Sequence, residues 1–66
     1  MVFKASKFLS DSEENAEMYL TDKHTQSWVD YCDGKQVKLM NDYMGRIEAS
    51  RGKGYVVHLD WCEVVK

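Results

Sequence analysis

Four side chains in this 66-residue chain could ligate a soft metal or form a thiol catalytic pair: His24, Cys32, His58 and Cys62. A structural zinc site needs four ligands converging, usually with a C-x-x-C-type knuckle, and this spacing fits no standard finger. His58, Asp60 and Cys62 alternate along one expected strand face and make a conceivable three-ligand cluster, but without the knuckle both cysteines read as small core hydrophobes. Cys32 with either histidine and an acidic orienter could be assembled as a nucleophile. Almost any sequence offers such a set, and a domain this small encloses no pocket for it. The expectation is a protein with no enzymatic activity, no cofactor and no metal.

A second kind of chemistry is anion binding. In Arg51-Gly52-Lys53-Gly54 the glycines let backbone N–H groups turn toward an anion while the two cations add charge, and Arg46 and Lys35 lie nearby if the hairpins pair. The bland reading is a glycine-rich hairpin and nothing more; the functional one is a seat for a nucleotide or another anionic signal. Extended nucleic acid fits less well. From Asp11 to Asp33 there are seven acidic residues and one lysine, against five basic and two acidic residues from Gly34 to Gly54. The molecule is expected to be polarised, with an acidic helical end that works against long polyanions and a mildly basic hairpin end.

The aromatic set Trp28, Tyr31, Tyr43, Tyr55 and Trp61 is the stronger functional signal. Two or three of these rings are needed to fill a small core. Protein interfaces are nevertheless enriched in Trp, Tyr, Met and Arg, and Tyr43-Met44-Gly45-Arg46 places three of those types within four residues at an expected turn. The candidate binding residues are therefore Tyr43, Met44, Arg46, Arg51, Lys53 and Trp61. The acidic segment could also imitate a polyanion in a basic groove, although a solvated helix face is the commoner use of such residues.

Size sets the remaining bounds. A chain of this length is one domain, residues 1–66, and buries only about 60% of the surface its unfolded form exposes, which makes self-association a live option. Net charge is −2. Met1-Val2-Phe3-Lys4 lacks the apolar core of a signal peptide, and no run approaches a transmembrane helix, so the chain is expected in the cytoplasm with both thiols reduced.

The elements that must position these residues are partly legible. Val2 to Leu9 is compatible with a first strand. Ser10 followed by Glu13 matches a capping box and predicts one helix from Asp11 to about Leu20, with an acidic first turn that suits the helix dipole. Thr21 to Gln26 reads as polar loop. Ser27 to Cys32 suits a helix by the spacing of Trp28, Tyr31 and Cys32, and a strand by its aromatic and β-branched content; the balance falls toward a strand or short turn. Beyond Lys35 the period is two, which predicts a meander of Gln36–Met40, Arg46–Ser50, Tyr55–Leu59 and Glu63–Val65. Trp28, Val37, Leu39, Ile47, Val57 and Leu59 are the expected core, with Ala49, Tyr55, and either Cys62 and Val64 or Trp61 and Val65 completing the faces.

Gly34-Lys35-Gln36-Val37-Lys38-Leu39, then Gly45-Arg46-Ile47-Glu48, then Gly54 to Asp60 resembles the cadence of SH3-like small barrels of the KOW and Tudor kind, over the last half of the chain. The resemblance implies an α+β domain: a small SH3-like antiparallel sheet or barrel carrying one N-terminal helix. Such barrels serve many functions. In size and composition the chain also resembles the short acidic, aromatic-rich proteins that bacteriophages encode to intercept host machinery, which implies an inhibitor or adaptor docking on a larger host protein in the host cytoplasm. The alternative is an oligomeric sponge that sequesters a nucleotide or other anion at the basic hairpin.

Overall fold

The computed structural model describes residues 1–48 and 54–65. Arg51 and Lys53, together with Ala49 and Ser50, lie outside the described residues. In chain order the elements are β1 (Val2–Phe3), α1 (Ala5–Asp11), α2 (Glu13–Thr21), α3 (Lys23–Cys32), β2 (Lys38–Leu39), β3 (Met44–Glu48), β4 (Gly54–His58), a 3-10 turn (Leu59–Trp61) and β5 (Cys62–Glu63). The class is α+β, as the sequence implies.

Three helices stand where one was expected, and single extended residues divide them. Ser12 (φ −155°, ψ 157°) ends α1 and caps α2, its Oγ accepting from the Asn15 N–H at 3.1 Å, and Glu13 and Glu14 in the first turn suit the helix dipole. The expected cap, Ser10, lies inside α1, where its hydroxyl donates back to the Ser6 carbonyl at 2.9 Å. Asp22 (φ −115°, ψ 113°) repeats the device: its carboxylate accepts from the His24 N–H at 3.2 Å and from the Thr25 hydroxyl at 2.7 Å. The polar stretch expected as loop therefore starts a new helix. Ser27 to Cys32 belongs to that helix and not to a strand, because Thr25, Val29 and Cys32, at i, i+4 and i+7, bury one face of α3. Likewise the first strand stops at Phe3, and Phe8 and Leu9 are helical.

After α3 the chain turns at Gly34, whose φ of +80° is the left-handed conformation that glycine takes without strain. Residues 34–37 then run beside β1: the Gly34 N–H donates to the Phe3 carbonyl at 2.8 Å, Phe3 to Lys35 at 3.0 Å and Val37 to Met1 at 2.8 Å. The same stretch continues into β2, which pairs antiparallel with β3, and β3 with β4. From β4 the 3-10 turn carries the chain back to β5, which pairs with β1. Among the described residues the strands thus form two small antiparallel sheets, of two and three strands, and no closed barrel.

Helices and sheets meet over Phe3, Phe8, Val29, Cys32, Val37, Ile47, Val57 and Cys62, all buried. Phe8 anchors them, with Trp61 edge-on at 4.9 Å and Trp28 at 5.1 Å, and such ring pairs add about 0.5–1.5 kcal/mol each beyond burial. Of the expected core, Val37, Ile47 and Val57 are buried, whereas Trp28, Tyr55, Leu59 and Trp61 are half-buried. Leu39 is exposed because β2 is an edge strand only two residues long, and Val64 and Val65 are exposed because β5 ends at Glu63.

Candidate functional site

Strand alternation sorts the three-stranded sheet into two faces. Leu39, Gly45 and Val57 form one row on the core side of the sheet, with Ile47 and Tyr55 beside them; the core covers Gly45, Ile47 and Val57 and leaves Leu39, at the edge, exposed. The opposite face carries Lys38, Arg46 and Val56 in one row and Met44 with His58 in the next. Lys38 and Arg46 are thus like charges directly opposite one another on the exposed face.

At one end of the sheet the β2–β3 turn protrudes. Its backbone is held by one side chain: Asn41 Oδ1 accepts from the N–H groups of Tyr43 at 2.8 Å and Met44 at 2.9 Å. Met40 N–H donates to the Met44 carbonyl at 3.0 Å, and Leu59 N–H to the Tyr43 carbonyl at 2.9 Å, which ties the turn to the 3-10 segment. An Asn in this role mimics a backbone turn and fixes the local path. On this fixed turn Tyr43 is 73% exposed, and at the strand end leading into it Leu39 is 61% exposed and Met40 55%. Large apolar groups clustered on a rigid, solvated turn contribute nothing to the core.

The expected binding residues separate. Tyr43 and Arg46 are exposed, and Met44 is half-buried two residues from Arg46 on the same sheet face. Trp61 belongs mainly to the core: its ring packs on Phe3, Phe8 and Trp28 and its indole N–H donates to Asp11 Oδ2 at 3.1 Å. Toward the sheet its ring meets the His58 imidazole at 5.2 Å, and His58 pairs with Met44. The expectations for Arg51 and Lys53 fall outside the described residues. Met40 joins the site without having been singled out; Asn41 belongs to the exposed tip that Asn41-Asp42-Tyr43-Met44 leads one to expect, and Leu39, expected in the core, joins because its edge strand is only two residues long.

Basic residues gather along the β2 edge, on the side of the Lys38–Arg46 pair away from the turn. Lys35, Lys38 and Arg46 line one open cleft of about 540 Å3, together with Gln36 and Glu48. The Lys35 ammonium lies 4.5 Å from the centre of the Tyr31 ring, a cation–π contact. The Arg46 side chain lies over Gly54, so closely that a Cβ there would collide with it. A second cleft, of about 310 Å3, has walls of His24, Trp28, Tyr55, Val56 and Trp61.

The thiols offer little reactivity. Burial pushes the Cys32 thiol up to about 11 and raises Cys62 as well, so neither is a ready nucleophile at neutral pH. The expected alternation of His58, Asp60 and Cys62 on one strand face is broken by the 3-10 turn, which turns Cys62 inward while His58 stays exposed. Among the described residues no group of three or more His, Cys, Asp or Glu side chains is placed to hold a metal ion, and no helix is long and apolar enough to cross a membrane. No known protein family, curated protein or solved structure matches the chain.

Proposed function

We propose that the chain is a small non-catalytic binding protein that docks on a larger protein through the tip of its three-stranded sheet, as an inhibitor or adaptor of the kind bacteriophages encode. The observation that carries this reading is the exposure of Leu39, Met40 and Tyr43 on a turn fixed by Asn41. A turn already held in one conformation loses little entropy on binding, and an exposed tyrosine with neighbouring aliphatic groups fits the composition of interface hot spots. Lys38 and Arg46 beside the tip favour a partner with an acidic rim. Two buried, unpaired cysteines suit the reducing cytoplasm of a host cell.

An SH3-like ancestry of the sheet belongs to the same proposal. It is supported by the path of residues 34–39 from β1 to β3 and by the return of β4 through a 3-10 turn to β5 beside β1, with the three helices inserted between β1 and β2.

A photo-crosslinking residue placed at Tyr43 in cells tests the docking surface, with Lys23 on α3 as the control position. A discrete adduct from position 43 that is absent from position 23, and lost when Met40 is changed to Ser, is the expected result. Adducts of equal yield from both positions would place the working surface elsewhere.

A second reading, sequestration of a nucleotide or other anion, is favoured by the convergence of Lys35, Lys38 and Arg46 on one cleft. Charge-assisted hydrogen bonds to a phosphate would then dominate. A thermal shift with a nucleotide panel separates the two: stabilisation that disappears in Lys38→Ala and Arg46→Ala but survives in Tyr43→Ala selects the anion site.

A further inference from the structure

The tip is not the only unpartnered surface. Helix α2 packs on α1 and α3 through Asn15, Ala16 and Tyr19: Asn15 is buried with its amide donating to the Phe8 carbonyl at 3.1 Å, and the Tyr19 hydroxyl donates to Asp30 at 2.7 Å. At about 100° per residue the opposite arc holds Glu13, Glu17 and Glu14, flanked by Leu20 on one side and Met18 on the other. Leu20 is 75% exposed and Met18 45%. Glu14, Glu17, Met18 and Thr21 line a shallow groove of about 340 Å3 along this face. An exposed leucine beside three glutamates does nothing for the fold of α2.

We propose that the acidic face of α2 in one copy of the chain binds the basic tip of another. The two surfaces match in kind: three carboxylates flanked by two apolar side chains on α2, and two cations, Lys38 and Arg46, on the sheet face next to the turn that carries the exposed Met40 and Tyr43, with Leu39 at the same end on the reverse face of β2. The contact covers exposed apolar groups of both surfaces and gives the like-charged Lys38–Arg46 pair further carboxylates; among the described residues of the three strands its own sheet face carries one, Glu48. The two patches lie on elements with different principal neighbours, α2 on the other helices and β2 on β3. The chain has 4913 Å2 of surface, of which a standard interface of about 800 Å2 per partner would take about a sixth. A contact resting largely on exposed opposite charges is expected to be concentration-dependent and sensitive to salt.

Because the contact joins two different surfaces, a pair formed through one contact keeps one free α2 face, on one copy, and one free tip, on the other. Association then runs head to tail unless a two-fold arrangement closes it. It also occludes the tip, so a second copy and a larger partner compete for Leu39, Met40 and Tyr43. The inference goes beyond docking on another protein and needs no such partner, so its failure leaves the crosslinking result at Tyr43 untouched.

Sedimentation equilibrium of the full chain tests it. In low salt the average mass is expected to rise above the 7.7 kDa of the monomer as concentration increases, and to return toward it in high salt. Two variants, each checked by thermal melt, break one face apiece: Glu14→Gln with Glu17→Gln and Leu20→Ser on α2, and Lys38→Gln with Arg46→Gln and Tyr43→Ser at the tip. Each is expected to be monomeric alone. Mixed at equal concentration they should form a 1:1 dimer, since each keeps the face that the other lacks. A wild-type chain that stays monomeric in low salt at every concentration, a variant that associates as the wild type does, or a mixture that remains monomeric would overturn the proposal.

Discussion

Lys38 stands directly opposite Arg46 across the β2–β3 pair, on the exposed face of the sheet. Like charges at directly opposed positions destabilise a sheet by a few tenths to about 1 kcal/mol, and here they flank the protruding turn. Replacing Lys38 by Glu turns repulsion into attraction. Lys38→Glu is expected to raise the urea midpoint while weakening every contact that the tip makes with an acidic surface. A variant that loses both stability and binding would show that Lys38 is structural.

Gly45 and Gly54 look alike in the sequence and are expected to behave differently. A Cβ at Gly45 would fall on Val37 Cγ1, with the Leu59 Cδ2 at 3.2 Å and the backbone carbonyl of Lys38 at 3.3 Å. The neighbours are a buried side chain and a strand backbone, neither free to move, so Gly45→Ala should cost about 1–3 kcal/mol by overpacking. At Gly54 the three atoms nearest the Cβ all belong to the Arg46 side chain, which is exposed and can swing aside. Gly54→Ala should change stability by less than about 0.5 kcal/mol. Equal melting temperatures for the two variants would contradict this packing.

Period-two patterning places the first three strands of the meander within two residues of their described bounds, because strands half-buried on one face must alternate, as Gly45 and Ile47 do. The end expected at Ser50 lies outside the described residues. The fourth strand forms as β5 but leaves the meander to pair with β1. The helices were harder to read. Ser12 and Asp22 each act as the end of one helix and the start of the next, and a serine two residues earlier offered an equally good capping box. Trp28 and Tyr31 carried a strand-like composition that the burial of Thr25, Val29 and Cys32 on one helical face overrode. At the site, Tyr43 was legible as an aromatic at a turn, whereas Trp61 was not separable from it: only packing shows that one ring is 73% exposed and the other is held by Phe8.

Leu39 and Val57 occupy the same row of the sheet, yet they should differ in stability by a wide margin. Val57 is buried in the core, and Val57→Ala removes two methyl groups at about 0.8 kcal/mol each plus the cavity they leave, roughly 2 kcal/mol in all. Leu39 already faces water at the end of its edge strand. Leu39→Ala should cost less than about 0.5 kcal/mol in chemical denaturation and should weaken docking by the tip. If Leu39→Ala unfolds the domain as readily as Val57→Ala, the edge of the sheet is more covered than this arrangement places it.

The buried thiols set how the fold responds to alkali. Burial holds Cys32 neutral, pushing its thiol from the ordinary 9.0 up to about 11, and raises Cys62 in the same direction. Tyr19 is also raised, first through its hydrogen bond to the Asp30 carboxylate and then by desolvation. A group whose pKa is higher folded than unfolded contributes stability below its unfolded value and loses that contribution as pH climbs toward the folded one. For Cys32 the window opens near 9 and closes near 11. The urea midpoint should therefore fall as pH rises through this range, and the fall should be shallower in Cys32→Ala, which has no thiolate to gain on unfolding. Native chain should react with a thiol reagent far more slowly than chain unfolded in urea at the same pH, since both sulfurs are buried. An equal rate in the two states, or an alkaline transition unchanged by Cys32→Ala, would mean that Cys32 is reached by solvent in the native protein.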